Sequence, residues 1–249
     1  MTSEQEHQPL LEEQGDHILH DMDPREPEGI MAQDDSTLTS IKSVESASLL
    51  EQVEEKKLGI DWSKLSSELR TVYDQMVKNE VSLINMGDSS IGAEGATAIA
   101  EALKENSSVS TIVLGDNSIG PEGAAAIAEA LKVNSSVLTV GLCGNSIGSE
   151  GAIAIAEALK LNSSVSRIDI RNNSIGPEGA IAFADALKVN SYVSEIYLSD
   201  NSIGNEGAIA FAEALEVNLC ISEIDVRGNS IDSQTQQSLQ SSHKNRFIF

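Results

Sequence analysis

The feature that most constrains this 249-residue chain is a sequence pattern that returns every 28 residues. Each copy has a short alternating apolar stretch, then usually Asn, an Ile-Gly pair, and an Ala-rich segment that ends in Ala-Leu. A unit of this length cannot bury an apolar face alone, so its copies must stack on one another. The sequence therefore predicts one elongated repeat domain, whose copies begin at Val81, Val109, Val137, Val165, Val193 and, in partial form, Ile221.

The apolar spacing changes within each copy. Val109–Leu114 has branched apolar residues at alternating positions, which is typical of a short strand. From Gly123 the spacing becomes helical, with Ala124, Ile127 and Leu131 on one face. Each copy is therefore predicted to form one strand followed by one helix, which places the chain in the α/β class.

A recurring Asn follows each predicted strand. Its side-chain amide can both donate to and accept from the backbone in a turn. Stacked copies would then form an internal ladder of hydrogen bonds, and replacing one Asn by Ala would cost about 1–3 kcal/mol. Ser89 stands at this position in the first copy. The predicted ladder consists of Asn117, Asn145, Asn173, Asn201 and Asn229.

Residues 81–232 resemble the leucine-rich repeat, LxxLxLxxNxL, in its long ribonuclease-inhibitor-like subtype. The resemblance implies an α/β solenoid of horseshoe shape, with parallel strands on the concave face and helices on the convex face. The helix half, GAxAIAEALKxNSS, is similar to the C-terminal repeats of NOD-like receptors of the CARD-containing class. Those receptors carry a nucleotide-binding NACHT domain, but this chain has no GxxxxGK[ST] loop, so nucleotide binding is not carried over.

The segments outside the repeats are read as a tail and two caps. Residues 1–58 are acidic and predicted to be mostly disordered. They include two dileucine-like motifs, Glu6–Leu11 and Glu45–Leu50, whose role the sequence leaves open. Residues 59–80 are predicted to cap the first repeat with an amphipathic helix from Asp61 to Lys78, with Asp61 as N-cap. Residues 233–249 are expected to form a C-terminal cap or tail, with the last three residues either folded back or free.

Composition excludes several functions. The net charge is −23, with 19 acidic and 7 basic residues in 1–80 and 20 and 9 in 81–249. A chain without a basic stripe is a poor ligand for nucleic acid or for an anionic membrane surface. The sequence also shows no signal peptide and no membrane-length apolar run, so a cytosolic location is expected.

Candidate catalytic groups are almost absent. The four His lie outside the repeats, no Cys/His cluster has metal-ligand spacing, and the two Cys cannot form a disulfide framework. We therefore expect no enzymatic activity, no metal and no cofactor. A protein partner of unknown identity is the expected ligand.

The variable strand positions are the candidate binding site. In copies one to three these positions are small and bland, whereas copies four to six concentrate Arg, acids and a Tyr. Arg and Tyr are common interface anchors. The alternative is that these charges only pair with one another across strands, with Arg171 beside Tyr197, and Asp169 beside Glu195 and Asp225. The predicted contact residues are Arg167, Asp169, Arg171, Glu195, Tyr197, Asp200, Glu223, Asp225 and Arg227.

Three functions remain after these exclusions. The leading hypothesis is a non-enzymatic cytosolic adaptor or signalling regulator that binds a protein through the concave face. A GTPase activator similar to RanGAP is the second, although no Arg occurs between Arg70 and Arg167. The third is binding to actin-filament ends as in tropomodulin, which also places a disordered region before its repeats.

Overall fold

The computed structural model of the protein describes residues 60–243 and 246–249. The predicted disordered segment 1–58 and both dileucine-like motifs lie outside the described residues, and the division of the chain into four segments stays a prediction. A 3₁₀ helix, Trp62–Lys64, opens the described part. The α-helices are α1 Ser67–Val77, α2 Gly92–Glu105, α3 Gly120–Leu131, α4 Gly148–Leu159, α5 Gly176–Leu187, α6 Gly204–Val217 and α7 Ser233–Ser242.

The strands form one parallel sheet whose spatial order is the sequence order. From β1 to β6, neighbouring strands pair with a constant offset of one repeat, as in the pair Ile112↔Val140. Strand and helix therefore alternate along an open solenoid, which confirms the predicted fold class. The strands are β1 Leu83–Asn85, β2 Thr111–Val113, β3 Thr139–Gly141, β4 Arg167–Asp169, β5 Glu195–Tyr197, β6 Glu223–Asp225 and β7 Phe247–Ile248.

The core lies between the sheet and the helices. Each of β1 to β6 turns its middle residue inward, and each of α2 to α6 turns a row of Ala, Leu and Ile or Phe toward it. Gly123 allows the close approach of neighbouring helices, because a Cβ on it would lie 2.5 Å from Ile119 and 3.0 Å from Ala96. Gly120 has a φ of +66°, a conformation that Gly adopts more readily than residues with a Cβ. The repeated Gly residues thus serve the backbone and the packing.

The Asn side chains after the strands join successive repeats. The Nδ2 amide of Asn117 donates to the carbonyls of Met86, Leu114 and Gly115, at 2.6, 3.0 and 3.1 Å. Its Oδ1 accepts from the amides of Ser89 and Ile91 in the repeat before. The same contacts recur with buried Asn145, Asn173, Asn201 and Asn229.

A second ladder of Asn side chains, which was not predicted from the sequence, follows the helices. Asn134 donates to the carbonyls of Leu103 and Asn106, and its Oδ1 accepts from the amides of Ser136 and Val137. The Asn that recurs at the end of the helical part of each copy is the sequence feature that could have predicted this ladder. The members are Asn106, Asn134, Asn162, Asn190 and Asn218.

Arg246 ends this second ladder. It stands one repeat after Asn218, and its guanidinium donates to the carbonyls of Leu215, Asn218 and Ile221 at 3.0, 2.5 and 3.0 Å. The carbonyls of Leu215 and Asn218 are offset by the same 31 and 28 residues that separate Asn218 from its own acceptors. Arg246 therefore takes the place of the next Asn where the repeats stop.

The N-terminal cap differs from the single helix predicted from Asp61 to Lys78. Asp61 caps only the 3₁₀ helix, where its side chain accepts from the amide of Ser63 at 3.1 Å. Leu65 is extended, and Ser66 then caps α1 by accepting from the amide of Leu69. The single-helix prediction was wrong because two capping side chains close together divide the segment.

The chain closes against β6 at its other end. β7 pairs in parallel with β6, through Ile224↔Phe247 and Asp225↔Ile248. Phe247 is buried, and its ring stacks on that of Phe249 at a centroid distance of 5.4 Å. The expected fold-back of the last residues thus takes the form of a seventh strand.

Candidate functional site

The sheet face, meaning the side of β1–β6 turned away from the helices, divides into two halves. On β1–β3 three outward rows hold small or uncharged residues: Leu83, Thr111 and Thr139; Asn85, Val113 and Gly141; Gly87, Gly115 and Cys143. On β4–β6 the same rows hold Arg167, Glu195 and Glu223; Asp169, Tyr197 and Asp225; Arg171, Ser199 and Arg227. The strands of both halves have the same backbone register, so the two halves differ in the side chains that they carry.

Arg167, Glu195 and Tyr197 form one connected cluster. The guanidinium of Arg167 donates to Glu195 Oε2 and lies over the Tyr197 ring, 5.6 Å from its centroid. The Tyr197 hydroxyl donates to the same oxygen at 2.8 Å. Each member is held by the other two, so the cluster has a defined orientation on the exposed surface.

Arg171 and Arg227 are each held by an Asp two residues earlier. Arg171 donates from Nε and Nη2 to the two oxygens of Asp169, at 2.8 and 2.5 Å. Arg227 makes the same pair of bonds to Asp225, at 2.9 and 2.6 Å. Such bidentate pairs fix the plane of the guanidinium as well as its position.

Asp225 is the buried member of this set. Its side chain is 0% exposed, whereas that of its partner Arg227 is 58% exposed. Burial raises the pKa of Asp225, but hydrogen bonds from the Arg227 side chain and amide and from the Ser199 hydroxyl outweigh burial and leave the pKa below its usual value. The carboxylate therefore stays ionised beneath the surface.

The Tyr197 phenol titrates far from its ordinary range. Burial, followed by its hydrogen bond to Glu195, raises the pKa of Tyr197 to about 12. The hydrogen bond from Arg171 to Asp169 raises the pKa of Arg171 above its ordinary value. Both side chains therefore keep their hydrogen-bond donors at neutral pH.

The register corrects the expected neighbours of Asp169. Asp169 pairs with Tyr197, and Tyr197 with Asp225, while Arg167 pairs with Glu195. Asp169 therefore does not lie directly beside Glu195, nor Arg171 directly beside Tyr197. Strands paired with an offset of one repeat bring together residues 28 positions apart, and the expected neighbours Asp169 and Glu195 do not have that separation.

Two neighbouring depressions cover this part of the sheet face. The larger, of about 470 Å³, is lined by Arg171, Asp200, Arg227 and others. The smaller, of about 320 Å³, extends over Gly141, Arg171 and Tyr197. Glu195 and Glu223 line neither depression. The prediction omitted eight residues that line them, because it selected Arg, Tyr and acidic side chains from copies four to six. The omitted residues are Val113, Asp116, Thr139, Gly141, Cys143, Gly144, Asn172 and Ser199.

The described residues offer few groups suited to metal or thiolate chemistry. Across residues 60–243 and 246–249 no group of three or more His, Cys, Asp or Glu could hold a metal ion. Burial, with Asp169 and Asp116 nearby, raises the pKa of the Cys143 thiol, which disfavours the nucleophilic thiolate. In the same part of the chain, no helix is both long and apolar enough to cross a membrane.

Comparison with known proteins agrees with the fold. The leucine-rich repeat family matches residues 105–128, 133–156, 161–184 and 189–212. The four matched segments are therefore leucine-rich repeats. No curated protein matches its sequence.

Two solved structures are similar in fold. One is titled Leiomodin-1 Actin-Binding Site 2 (ABS2), with 23% identity over 72% of this chain and 99% of that one, at a TM-score of 0.55. The other is the tropomodulin C-terminal domain of Caenorhabditis elegans, with 16% identity over 61% of this chain and 93% of that one, at a TM-score of 0.53. At these identities the likeness concerns the fold alone.

Proposed function

We propose that this protein is a non-catalytic binding module that engages a protein partner through the part of the sheet face carried by β4–β6. The observation that carries the proposal is the mutual fixing of Arg167, Glu195 and Tyr197 beside two bidentate Arg–Asp pairs. Arg and Tyr dominate interface energetics, and side chains already fixed lose less entropy on binding. An adaptor or signalling role in the cytosol, by analogy with NOD-like receptor repeats, would follow from such a surface.

Internal pairing alone is the alternative account of the same contacts. Affinity capture separates the two, with the wild type and the variant Arg171→Ala/Tyr197→Ala/Arg227→Ala as baits. The matched control replaces Ser110, Thr111 and Thr139 by Ala in the other half of the same face. We expect partners to be lost from the first variant only. Identical partner lists from all three baits would remove the β4–β6 face as the binding site.

Actin is a second candidate partner, favoured by one observation. The similar structure from leiomodin-1 carries the name of an actin-binding site. Cosedimentation of the full chain with filaments, and pointed-end elongation assays, test this candidate directly. No sedimentation and no effect on elongation would dismiss it and leave the wider proposal in place.

A GTPase-activating role has less support. In the described residues between Arg70 and Arg167 there is no Arg, and the guanidinium groups of the sheet face all lie on or next to β4 and β6. A single-turnover GTP hydrolysis assay without acceleration would dismiss this role.

A further inference from the structure

We infer that the depression between Arg171 and Arg227 is a subsite for a carboxylate carried by an acidic segment of the partner. The inference rests on the proposed function and names the chemistry that the partner presents. A site that holds unused hydrogen-bond donors selects for a ligand that carries hydrogen-bond acceptors.

Both guanidinium groups keep unused donors. A guanidinium has five N–H donors. Arg171 gives two to Asp169, and Arg227 gives two to Asp225, so five minus two leaves three on each. These remaining donors have no hydrogen-bond partner within residues 60–243 and 246–249. The two side chains are about half exposed, at 47% and 58%, so the donors can reach a ligand.

The acceptors beneath them are already occupied. Asp225 accepts from Arg227 at both oxygens and from Ser199 at 3.1 Å, and it is buried. Asp169 likewise has both oxygens bonded to Arg171. The paired Asp side chains therefore orient the Arg side chains, and the groups left exposed to a ligand are guanidinium N–H donors.

The spacing of the two Arg suits one anion. They stand at equivalent positions, two residues after the ends of β4 and β6, with small, buried Ser199 at the same position after β5 between them. Strand separations of about 4.8 Å put their Cα atoms about 10 Å apart, which leaves room for a carboxylate bridging both guanidinium groups. Gly87, Gly115 and Cys143 occupy this row on the other half of the face.

The rim of the depression favours a carboxylate over a phosphate. Asp116 and Asp200 line it without being paired to Arg171 or Arg227. A phosphate ester carries close to two negative charges at neutral pH and is repelled more strongly by neighbouring acids than a carboxylate is. Removing a rim acid should therefore strengthen the binding of the carboxylate.

The test measures fluorescence anisotropy of a labelled peptide of alternating Glu and Gly, at about 0.15 M salt, where the Debye length of about 8 Å leaves mainly local charges. The full chain is compared with Arg171→Gln/Arg227→Gln and with the control Lys132→Gln/Lys160→Gln, which removes equal charge from helix-side Lys–Glu pairs. We expect at least a tenfold loss of affinity in the Arg variant and less than a twofold change in the control. Equal losses, or no saturable binding to the wild type, would overturn the inference.

Asp200→Asn is a variant that should increase the affinity for the Glu peptide instead of lowering it. Asp200 has a φ of 57°, and Asn172 adopts 54° at the equivalent position, so the backbone accepts the change. We expect affinity for the Glu peptide to rise several-fold, an outcome that misfolding cannot mimic. A phosphoserine peptide that binds more tightly than the Glu peptide would contradict the choice of carboxylate. If the Glu peptide fails while partner capture still depends on the β4–β6 face, only the carboxylate subsite is lost.

Discussion

The two halves of the sheet face share a backbone and differ in what they present. β1–β3 and β4–β6 have the same register, and every strand from β2 to β6 is followed by a buried Asn that makes the same contacts. In the three outward rows described above, the first half presents small or uncharged side chains, whereas the second holds three Arg and a Tyr in fixed contacts with acids. The repeat therefore determines the scaffold, whereas the outward side chains vary from copy to copy.

The largest expected effects test whether the scaffolds of the halves are equivalent. Asn117→Ala and Asn173→Ala each leave buried backbone groups unpaired, at a cost of about 1–3 kcal/mol. Because Asn117 and Asn173 make the same contacts, we expect equal losses in the free energy of unfolding, measured by urea denaturation. A loss confined to one half would show that the halves differ in more than their surface.

The next effect distinguishes the two Arg–Asp pairs. Arg227→Gln leaves the buried Asp225 carboxylate without its two guanidinium donors, and we expect it to cost about 1–3 kcal/mol. Arg171→Gln should cost below about 1 kcal/mol, because Asp169 is partly exposed. Thermal denaturation of both variants measures the difference.

The double variant Asp225→Asn/Arg227→Gln is the control for this pair. It removes the buried charge together with its partner, so it should be more stable than Arg227→Gln alone. If Arg171→Gln proves as costly as Arg227→Gln, burial of the carboxylate is not what separates the two pairs.

The pH dependence of stability should also differ between the halves. The pKa of Asp225 is lower in the folded protein, so Asp225 contributes stability above its unfolded pKa of about 3.9. That contribution is lost as the pH falls through the lower folded value. The difference in Tm between the wild type and Asp225→Asn should therefore be constant near neutral pH and shrink below about pH 4. Thr111→Ala, in the other half, should keep a constant difference over the whole range.

The smallest effect reports on Tyr197 alone. Its phenol should titrate near 12, which appears in the absorbance at 295 nm as the difference between the wild type and Tyr197→Phe. Glu195→Gln should lower the pKa of Tyr197, because the hydrogen bond to Glu195 is one of the causes of the shift. An unchanged titration in Glu195→Gln would show that the Arg167–Glu195–Tyr197 cluster does not hold in solution.

The sequence predicts most of this fold because the repeat averages out local ambiguity. Three alternating residues in one copy would not by themselves define a strand, but five copies of the Val109–Ser136 pattern with the same periodicity require the same stack. The two ends of the domain are harder to predict, because they do not repeat. Arg246 completes the second Asn ladder, and extended Leu65 divides the N-terminal cap. Each feature occurs once in the chain, so the repeat pattern does not indicate it.

The site was predictable only in part, and for a physical reason. Subtracting the repeat identified Arg167, Arg171, Tyr197 and Arg227 as outward side chains that the scaffold does not require. It could not show that Asp225 is buried, because exposure depends on neighbouring strands. It also gave wrong neighbours for Asp169, since lateral contacts depend on register and on side-chain direction.

The most direct test of the central claim is the affinity of a captured partner for reciprocal variants of the sheet face. Isothermal titration calorimetry would compare the wild type with Arg171→Ala/Tyr197→Ala/Arg227→Ala and with Ser110→Ala/Thr111→Ala/Thr139→Ala. We predict a loss of at least about 2 kcal/mol in binding free energy for the first variant, as for interface hot spots, and less than about 0.5 kcal/mol for the second. Equal affinities for both variants, with both still folded, would contradict the assignment of recognition to β4–β6.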